Sequence, residues 1–477
     1  MTLHIDLVGR DDLSGEIYRQ IRRAILEGLL RPGDTLPPTR ELARTLAVAR
    51  ATVVVAYEHL AAEGFVQSRQ GAGTIVEDWA PLEAAGARRQ RSHGALRPRP
   101  IWETIPLPTA FDASAIYDFR TGLPDVSLFP HLNWRRLIAK VLRSNESALP
   151  GIYEKPAGHL ALRTAIARHI GVSRGVDASE DDVIVTGGTQ QAIDLLARTL
   201  LAPGDKIAIE DPGYEATRRA LEAHGAKVIG VPVDQDGIVV EALPDDARAV
   251  YVTPSHQYPL SVTMTLGRRQ ALLSWAERHG SAIIEDDYDG EFRFEGRPLP
   301  PLQTLDTAGR VIYVGSFSKT MFPTLRLGFV VPPPSLRDAI QRAKYVSDWH
   351  SPTLEQAALA RFIESGGFSA HIRKVSAVYR ERHSMIATAI TRDFAGLLEL
   401  IPSTTGLHLT ALAPPSTTVE QMSEIAARAA KRGVQLHRLS SFHLGQSCRA
   451  GLVLGYGAIA TPKIAEGLVQ LRAAFED

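Results

Sequence analysis

Hydrophobic positions near the N-terminus recur at the spacing of a helix. Ile17, Ile21, Ile25 and Leu29 lie four residues apart, so their side chains share one face of a predicted helix. Ser14 stands where the N-terminal cap of that helix is expected. The first element is therefore predicted to be a helix with one buried face.

Two shorter helices and a pair of strands are predicted next. The apolar spacing indicates helices over residues 41–46 and 51–60, joined by a short break at residues 47–50, which is the arrangement of a helix-turn-helix. Residues 65–68 and 74–76 indicate two short strands around a glycine-bearing loop, and such a hairpin forms a wing. The N-terminal region is thus predicted to be a winged helix-turn-helix.

A different pattern begins at about residue 117. Short apolar runs alternate with helical stretches, and this alternation is typical of an α/β domain with a parallel sheet. The predicted strands cover residues 183–186, 207–209, 228–231, 250–253, 282–285, 311–314 and 329–331.

Between these two patterns lies a basic, proline-rich stretch. Residues 86–100 contain five arginines and no acid. Segments of this composition act as linkers. The predicted organisation is a winged helix over residues 10–77, a linker over residues 78–115 and an α/β domain over residues 116–477.

Composition narrows the class of protein further. The chain has 477 residues, 44% of them hydrophobic and 22% charged, with a formal net charge of zero. It holds one cysteine, Cys448, which excludes an internal disulfide and fits a reducing compartment. No apolar run approaches membrane-spanning length, and the N-terminus has no signal pattern. The expectation is a cytoplasmic protein without a membrane or metal site.

The run Gly315-Ser316-Phe317-Ser318-Lys319 carries the clearest chemistry. It follows the predicted strand at residues 311–314, and α/β sheets bind ligands at such strand ends. An amine, two small hydroxyls and the nearby Arg326 suit pyridoxal 5'-phosphate (PLP), with Lys319 as its Schiff-base lysine. The alternative is an exposed lysine beside a core strand.

Two other strand ends fit the same cofactor. Gly187-Gly188-Thr189-Gln190 opens a helix, and free N–H groups at a helix N-terminus attract phosphate. Asp286 and Tyr288 are two residues apart and so share a face of an extended segment, where a carboxylate and a phenol suit the ring nitrogen and ring hydroxyl. The alternatives are a purely structural turn and a solvated acidic loop.

Two further loop residues are candidates. Tyr214, in Glu210-Asp211-Pro212-Gly213-Tyr214, is placed to stack on the pyridine ring, and His256 to contact the cofactor. The alternatives are an ordinary turn tyrosine and a surface histidine.

The N-terminal region resembles the winged-helix domain of GntR-type transcription regulators. The matching residues are Pro38-Thr39-Arg40-Glu41-Leu42-Ala43, Thr52-Val53, Ala56-Tyr57, Leu60, Glu63-Gly64 and Gly71-Ala72-Gly73-Thr74. The resemblance implies that Arg50 and Thr52 lie near double-stranded DNA, with Arg40 on the preceding helix and Arg69 and Gly71 on the wing. The alternative is a helical dimerisation module.

One departure from this family pattern weakens the expected DNA contact. The usual Gly-Val-Ser-Arg turn is Ala47-Val48-Ala49-Arg50 here, so a helix cap is lost. Residues 1–76 also hold nine arginines and nine acids. DNA binding therefore depends on where the arginines point.

The second region resembles fold-type-I PLP enzymes of the aspartate aminotransferase superfamily, through the motifs around residues 186–190, 210–214, 254–257, 285–288 and 316–326. The resemblance implies that Lys319 forms the Schiff base, Asp286 meets the ring nitrogen, Tyr288 the ring hydroxyl, and Tyr214 stacks on the ring. The residues that it implies for the phosphate are Gly188, Thr189, Gln190, Ser316, Ser318 and Arg326. Tyr153 is similar to a tyrosine that reaches the neighbouring subunit's phosphate, which implies a homodimer.

Two aminotransferase features are replaced. Tyr258-Pro259 stands where Asn-Pro is usual, and Val453 holds the place of the arginine that grips the substrate carboxylate. That arginine is a charge-assisted anchor for an α-amino acid. The substrate clamp is therefore predicted to be absent, while the cofactor site is complete.

Together, the two regions resemble the MocR subfamily of bacterial regulators. This resemblance implies a DNA-binding transcription regulator whose aminotransferase-like domain senses PLP or a PLP–amino compound adduct. Two alternatives stay open: an active aminotransferase with a vestigial DNA-binding module, and a DNA-binding scaffold with an inactive cofactor fold.

Overall fold

The computed structural model describes residues 5–7, 12–69, 73–78, 96–107, 115–143, 153–296, 299–445 and 448–476. Contacts divide the chain into two compact units, one ending at Pro98 and the other beginning at Arg99.

In its described residues, the first unit combines three helices with a small antiparallel sheet of strand order β1-β3-β2. Its elements are α1 (Leu13–Leu26), β1 (Thr35–Leu36), α2 (Thr39–Thr45), α3 (Arg50–Ala62), β2 (Val66–Arg69) and β3 (Gly73–Val76). The predicted winged helix-turn-helix is confirmed by this arrangement.

Helix α1 differs from its prediction at both ends. Ile17, Ile21 and Ile25 are buried as the spacing required, but the cap is Asp12, whose carboxylate accepts the backbone N–H of Gly15 at 3.1 Å. Leu29 lies beyond the end of the helix and is 56% exposed. The helix therefore begins and ends earlier than predicted, because Asp12 offers an earlier cap.

The turn between α2 and α3 carries the two alanines that depart from the family pattern. Ala47 has a φ of 52°, in the left-handed region where an L residue other than glycine is strained. Ala49 caps α3 without any side-chain hydrogen bond. The predicted loss of a cap is confirmed, and the turn stores backbone strain as well.

The second unit holds three sheets with helices packed around them. Its strands are β4 (Tyr117–Asp118), β5 (Ile184–Thr186), β6 (Lys206–Asp211), β7 (Lys227–Asp234), β8 (Gly237–Ile238), β9 (Ala247–Val252), β10 (Ala282–Asp287), β11 (Val311–Ser316), β12 (Gly328–Val331), β13 (Glu399–Leu400), β14 (His408–Leu412), β15 (Val434–Gln435), β16 (His437–Arg438) and β17 (Gly451–Gly455). Its helices are α4 (Ile101–Thr104), α5 (His131–Arg143), α6 (Leu160–Arg174), α7 (Thr189–Leu200), α8 (Glu215–Ala223), α9 (Leu266–His279), α10 (Leu302–Leu305), α11 (Pro334–Ser347), α12 (Thr353–Glu364), α13 (Gly367–Asp393), α14 (Val419–Lys431) and α15 (Ile464–Ala473).

Part of the predicted linker belongs to this second unit. Helix α4 lies inside the segment 78–115, and Arg99 donates a hydrogen bond to the carbonyl oxygen of Ala223 at 3.1 Å. The segment 78–115 therefore contains a short helix. Residues 79–95 and 108–114 of the segment lie outside the described residues.

The main sheet has eight strands in the order β5-β12-β11-β10-β9-β6-β7-β8. All seven predicted strands are present in it. The expectation of a parallel sheet needs correction, because β12 runs antiparallel to both β11 and β5, and β8 runs antiparallel to β7. Strand β12 follows β11 after a short connection without a long crossover helix, and parallel strands require such a crossover.

Topology gathers the chemistry at one edge of this sheet. Strands β6, β9, β10 and β11 are parallel neighbours, so their carboxyl ends lie together. A smaller antiparallel sheet of order β13-β14-β17-β16 brings the C-terminal residues into the same unit. Both sheets supply residues to the site.

Candidate functional site

A cavity of about 600 Å³ lies at the carboxyl ends of the main-sheet strands. Most of the predicted cofactor residues form its wall: Thr189, Gln190, Tyr214, Asp286, Tyr288, Ser316, Ser318, Lys319 and Arg326. These residues come from five separate stretches of the chain, and the fold brings them into one cavity.

Lys319 is half-buried just beyond β11. Its Nζ donates a 2.6 Å hydrogen bond to the carbonyl oxygen of Gly122. Burial lowers the pKa of the Lys319 amine, although the carboxylates of Asp289 and Asp286 oppose that shift. A lowered pKa favours the neutral amine, which is the nucleophilic form.

Asp286, at the end of β10, presents one carboxylate oxygen with no partner. Its Oδ2 accepts a 2.6 Å hydrogen bond from Tyr251 Oη, whereas its buried Oδ1 has no hydrogen-bond partner among the described residues. Burial raises the pKa of Asp286 to about 7. A cationic N–H facing Oδ1 would satisfy this oxygen and restore the charged form.

Tyr288 lies on the cavity wall with a polar relay behind it. Its Oη is 3.0 Å from His256 Nδ1, which is 2.9 Å from Asp289 Oδ2. His256 and Asp289 are each 1% exposed. Gly406, with a φ of 84°, allows this approach, because a side chain there would collide with the imidazole of His256. His256 therefore lies behind Tyr288 rather than among the described lining residues of the cavity.

The same relay touches another histidine. His256, Asp289 and His408 each offer a ligand atom, and these atoms lie within 4.8 Å of one another. Two of the three are already hydrogen-bonded to each other, and His408 Nε2 lies 3.0 Å from the carbonyl oxygen of Pro259. We therefore interpret the group as a polar support for Tyr288.

An anion cradle lies where β5 runs into α7. Gly188 caps α7 with a φ of 90°, and a side-chain carbon there would lie 3.0 Å from Arg326 Nη2. Arg326, which itself has a φ of 51°, donates to the carbonyl oxygen of Gly187 at 2.7 Å. Across from it, the Ser318 N–H donates to Ser316 Oγ at 3.1 Å. Helix N–H groups, two hydroxyls and a guanidinium suit a phosphate dianion.

Sequence reasoning did not identify several residues of the cavity wall. Tyr251 holds Asp286 through strand register: Tyr251 pairs with Ile284, so it shares a face with Asp286 two residues on. Thr121, His408 and His437 also line the cavity. No local sequence motif indicates these three residues, because they come from segments far from one another in the sequence.

Tyr153 lies outside the cavity wall. It is 71% exposed and stacks on Trp349, with ring centroids 4.3 Å apart and planes 19° apart. Tyr345, which is 49% exposed, also packs on Trp349, with ring centroids 4.8 Å apart. Exposed aromatic side chains in one patch are typical of a protein interface.

In the first unit, the predicted DNA-contacting arginines are exposed. Arg50 is the first residue of α3 and its Nε lies 3.3 Å from Thr39 Oγ1. Arg40 is exposed on α2, and Thr52 is half-buried in the first turn of α3. Arg69, at the end of β2, pairs loosely with Glu77 at 3.6 Å.

Gly71, predicted on the wing, lies outside the described residues.

Two family models match the chain in the regions just described. Residues 13–76 match the model of bacterial regulatory proteins of the gntR family, and residues 130–453 match the model of aminotransferase class I and II. No helix in the described part of the chain is long and apolar enough to cross a membrane.

Whole-length relatives combine the same two regions. The chain is 39% identical over 471 residues to the probable rhizopine catabolism regulatory protein MocR of Rhizobium meliloti, covering 96% of this chain and 93% of that protein. It is 32% identical over 450 residues to the pyridoxine biosynthesis transcriptional regulator PdxR of Corynebacterium glutamicum, covering 93% and 91%.

A solved structure matches the second unit alone. It is the α-aminoadipate aminotransferase LysN of Thermus thermophilus, complexed with N-(5'-phosphopyridoxyl)-L-leucine, with a TM-score of 0.69 and 28% identity over 76% of this chain and 92% of that one. The second unit therefore has the fold of PLP-dependent aminotransferases. With the gntR-type winged helix at its N-terminus and whole-length similarity to MocR and PdxR, the chain belongs to the MocR subfamily of GntR-type DNA-binding transcription regulators.

Proposed function

We propose that the second unit binds PLP through Lys319 and that PLP, or its adduct with an amino compound, controls DNA binding by the first unit. The observation that carries the proposal is the unpartnered Oδ1 of Asp286 in the same cavity as Lys319 and the anion cradle. Three separate requirements of the cofactor, an amine, a carboxylate and a phosphate site, are met in one cavity. When bound, PLP supplies an aldehyde and an electron-withdrawing ring.

Each residue around the ring has a distinct part in this proposal. Asp286 holds a proton on the ring nitrogen through its unpartnered oxygen, and Tyr251 fixes the carboxylate in place. Tyr288 meets the ring hydroxyl, and His256 acts through Tyr288 rather than on the cofactor itself. Tyr214 packs against the ring.

The phosphate is assigned to the cradle at the start of α7. Gly188, Thr189 and Gln190 offer the helix N-terminus, while Ser316, Ser318 and Arg326 complete the shell. We assign the exposed Tyr153 to the interface of a homodimer, where it reaches the phosphate of the second subunit.

We assign DNA contact to the exposed face around the start of α3. Arg50 and Thr52 would enter the major groove of an operator, where an arginine pairs with guanine or grips a phosphate. Arg40 would contact the backbone beside them, and Arg69 and Gly71 would do so from the wing.

A titration of DNA binding with and without PLP tests the coupling of the two units. The protein is titrated at fixed salt onto the DNA upstream of its own gene. A ligand shifts such an equilibrium only through different affinities for two states, and coupling free energies are typically about 1–3 kcal/mol. We expect PLP to change the DNA affinity of the wild type by roughly 5- to 150-fold.

The variant Lys319→Ala serves as the comparison in that titration. Its DNA affinity should no longer respond to PLP, because the covalent attachment is lost. An equal response in both proteins, or no response in the wild type, would contradict the proposed coupling.

The alternative of an active aminotransferase is less well supported. Val453 is fully buried in β17, where the family's aminotransferases carry the carboxylate-binding arginine. Without that anchor, the Cα–H bond of an amino acid is not held in the orientation that proton transfer requires. We expect amine-dependent spectral changes but turnover far below the enzyme median of about 10 per second.

A further inference from the structure

The most informative departure from an aminotransferase is the part of the cavity wall beside Val453. Val453 pairs with His437 of β16 on one side and Thr410 of β14 on the other. Directly opposite residues in an antiparallel sheet project from the same face. An arginine at position 453 would therefore project beside His437, and His437 lines the cavity.

Hydrogen bonds fix the tautomer of His437. The backbone N–H of Thr121, which can only donate, lies 3.3 Å from His437 Nδ1, and the Thr121 hydroxyl lies 3.0 Å from the same nitrogen. Nδ1 is therefore an acceptor, so the proton of the neutral ring is on Nε2. Burial and the nearby Arg120 lower the pKa of His437, which keeps the ring neutral.

The direction of the next hydrogen bond follows from this. Since the Thr121 hydroxyl donates to His437, its oxygen accepts from Tyr258 Oη, 2.8 Å away. Tyr258 Oη, having used its proton, offers only lone pairs, and it lines the same cavity. Beside Val453, His437 thus offers the donor Nε2–H and Tyr258 the acceptor Oη.

The charges of the described lining residues do not favour a carboxylate here. The fixed cations on the wall are Lys319 and Arg326, which the proposed function assigns to the aldehyde and the phosphate. Arg120 is engaged by both oxygens of Asp118, at 2.8 and 2.6 Å. A carboxylate accepts hydrogen bonds only and would face the lone pairs of Tyr258, whereas a hydroxyl both donates and accepts.

We propose that the amino compound taken by this cavity is a small hydroxylated amine without a carboxylate, whose hydroxyl donates to Tyr258 and accepts from His437. This inference rests on the proposed function, because it concerns the amine that reaches PLP in this cavity. It makes His437 and Tyr258 the residues that determine effector specificity.

Three amines that share the three-carbon skeleton of 2-aminopropane separate the chemistries. They are 2-amino-1,3-propanediol with two hydroxyls, L-serine with one hydroxyl and a carboxylate, and 2-aminopropane with neither. Each is titrated into the full-length, PLP-loaded protein, and an apparent dissociation constant is taken from the change in the visible absorbance of bound PLP. Constants are expressed per concentration of unprotonated amine, so that differences in amine basicity drop out.

For the wild type, we expect the diol to bind at least about tenfold tighter than either of the other two amines, since a ligand that covers His437 and Tyr258 without pairing them leaves costly unsatisfied polar groups. His437→Phe should remove the preference for the diol over 2-aminopropane. Val453→Arg should reverse the preference between the diol and L-serine, with Val453→Leu as the control for size.

The outcomes separate this inference from the function on which it rests. If the reconstituted wild type has no visible PLP band, the proposed function fails and this inference fails with it. If the band is present but L-serine binds as tightly as the diol, or His437→Phe keeps the wild-type preference, the inference alone is overturned. The wild-type comparison and His437→Phe decide the matter even if Val453→Arg does not fold.

Discussion

The two units carry their functional residues in opposite ways. Around α3, Arg50 and Arg40 are exposed. Around the cavity, Asp286 is buried, Lys319 is half-buried, and their partners come from distant segments. A surface that meets DNA needs its charges available to the solvent and the groove. A cofactor cavity needs them desolvated and held in place.

This difference predicts how each unit responds to substitution. Removing one exposed arginine should change DNA binding without changing the free energy of unfolding, because exposed ion pairs contribute little to stability. Removing a buried charge changes binding and folding together, since its partner is left without compensation. The following substitutions test that contrast.

The largest effect is expected at the cavity. Lys319→Ala should abolish the visible absorbance of bound PLP, because the covalent attachment is lost. Lys206→Ala removes a half-buried lysine that pairs with Asp246 away from the cavity, and it should leave the absorbance unchanged. Absorption spectra after reconstitution with excess PLP measure both. A wild-type band that persists in Lys319→Ala would exclude Lys319 as the attachment site.

Two adjacent carboxylates should respond in opposite directions. Asp287 pairs with Arg174 at 2.7 Å and accepts from Tyr313 at 2.6 Å, so Asp287→Asn should lower the free energy of unfolding by about 3–5 kcal/mol. Asp286 is different, because burial raises its pKa from 3.8 to about 7. In the PLP-free protein, Asp286→Asn should raise the free energy of unfolding at pH 8 by up to roughly 4 kcal/mol.

The pH dependence identifies the cause of that gain. A buried carboxyl with a raised pKa destabilises the fold only where the unfolded chain releases its proton. The cost is absent below pH 3.8, grows up to about pH 7 and is constant above it. The gain from Asp286→Asn should follow this course in denaturant titrations, and the variant should also bind PLP more weakly. A gain independent of pH would contradict the electrostatic explanation.

At the DNA surface, a smaller effect is expected. Arg50→Ala should cost about 1–3 kcal/mol in binding to a specific site, because Arg50 begins the helix that we assign to the major groove. Arg97→Ala, in the exposed part of the linker, should cost less. Gel-shift titrations at fixed salt compare the two variants, and equal affinities would mean that the contact is non-specific. Thermal unfolding should be nearly unchanged in both.

The smallest effects are expected in the turn before α3. Ala49→Ser restores a cap and should raise the free energy of unfolding by about 0.5–2 kcal/mol. Ala47→Gly relieves a residue at a φ of 52° and should add about 1 kcal/mol, since the strain removed exceeds the entropy cost of a glycine. Ala51→Gly, inside the exposed first turn of α3, is the control and should destabilise by a similar amount. Denaturant titrations of the three variants test the sign of each change.

Local patterns in the sequence determined a large part of this molecule. The apolar spacing placed α1 and its buried isoleucines, because that period depends only on helix geometry. Short apolar runs placed seven of the main-sheet strands, because a strand that is buried on both faces is apolar throughout. The missing helix cap at Ala49 was also predictable from the sequence, because a cap contacts only residues next to it in the chain. Motifs at strand ends singled out Lys319 and Asp286, which both line the cavity, because parallel strands end at a common edge.

Tertiary structure alone decided the rest. Tyr251 meets Asp286 through strand register, His256 lies behind Tyr288, and the strand opposite Val453 places His437 on the cavity wall. The composition of β12 likewise did not indicate that this strand runs antiparallel to β11. These contacts join segments up to 316 residues apart, as between Thr121 and His437. No local period or cap encodes such a contact, because it depends on how sheets and loops pack once the core has formed.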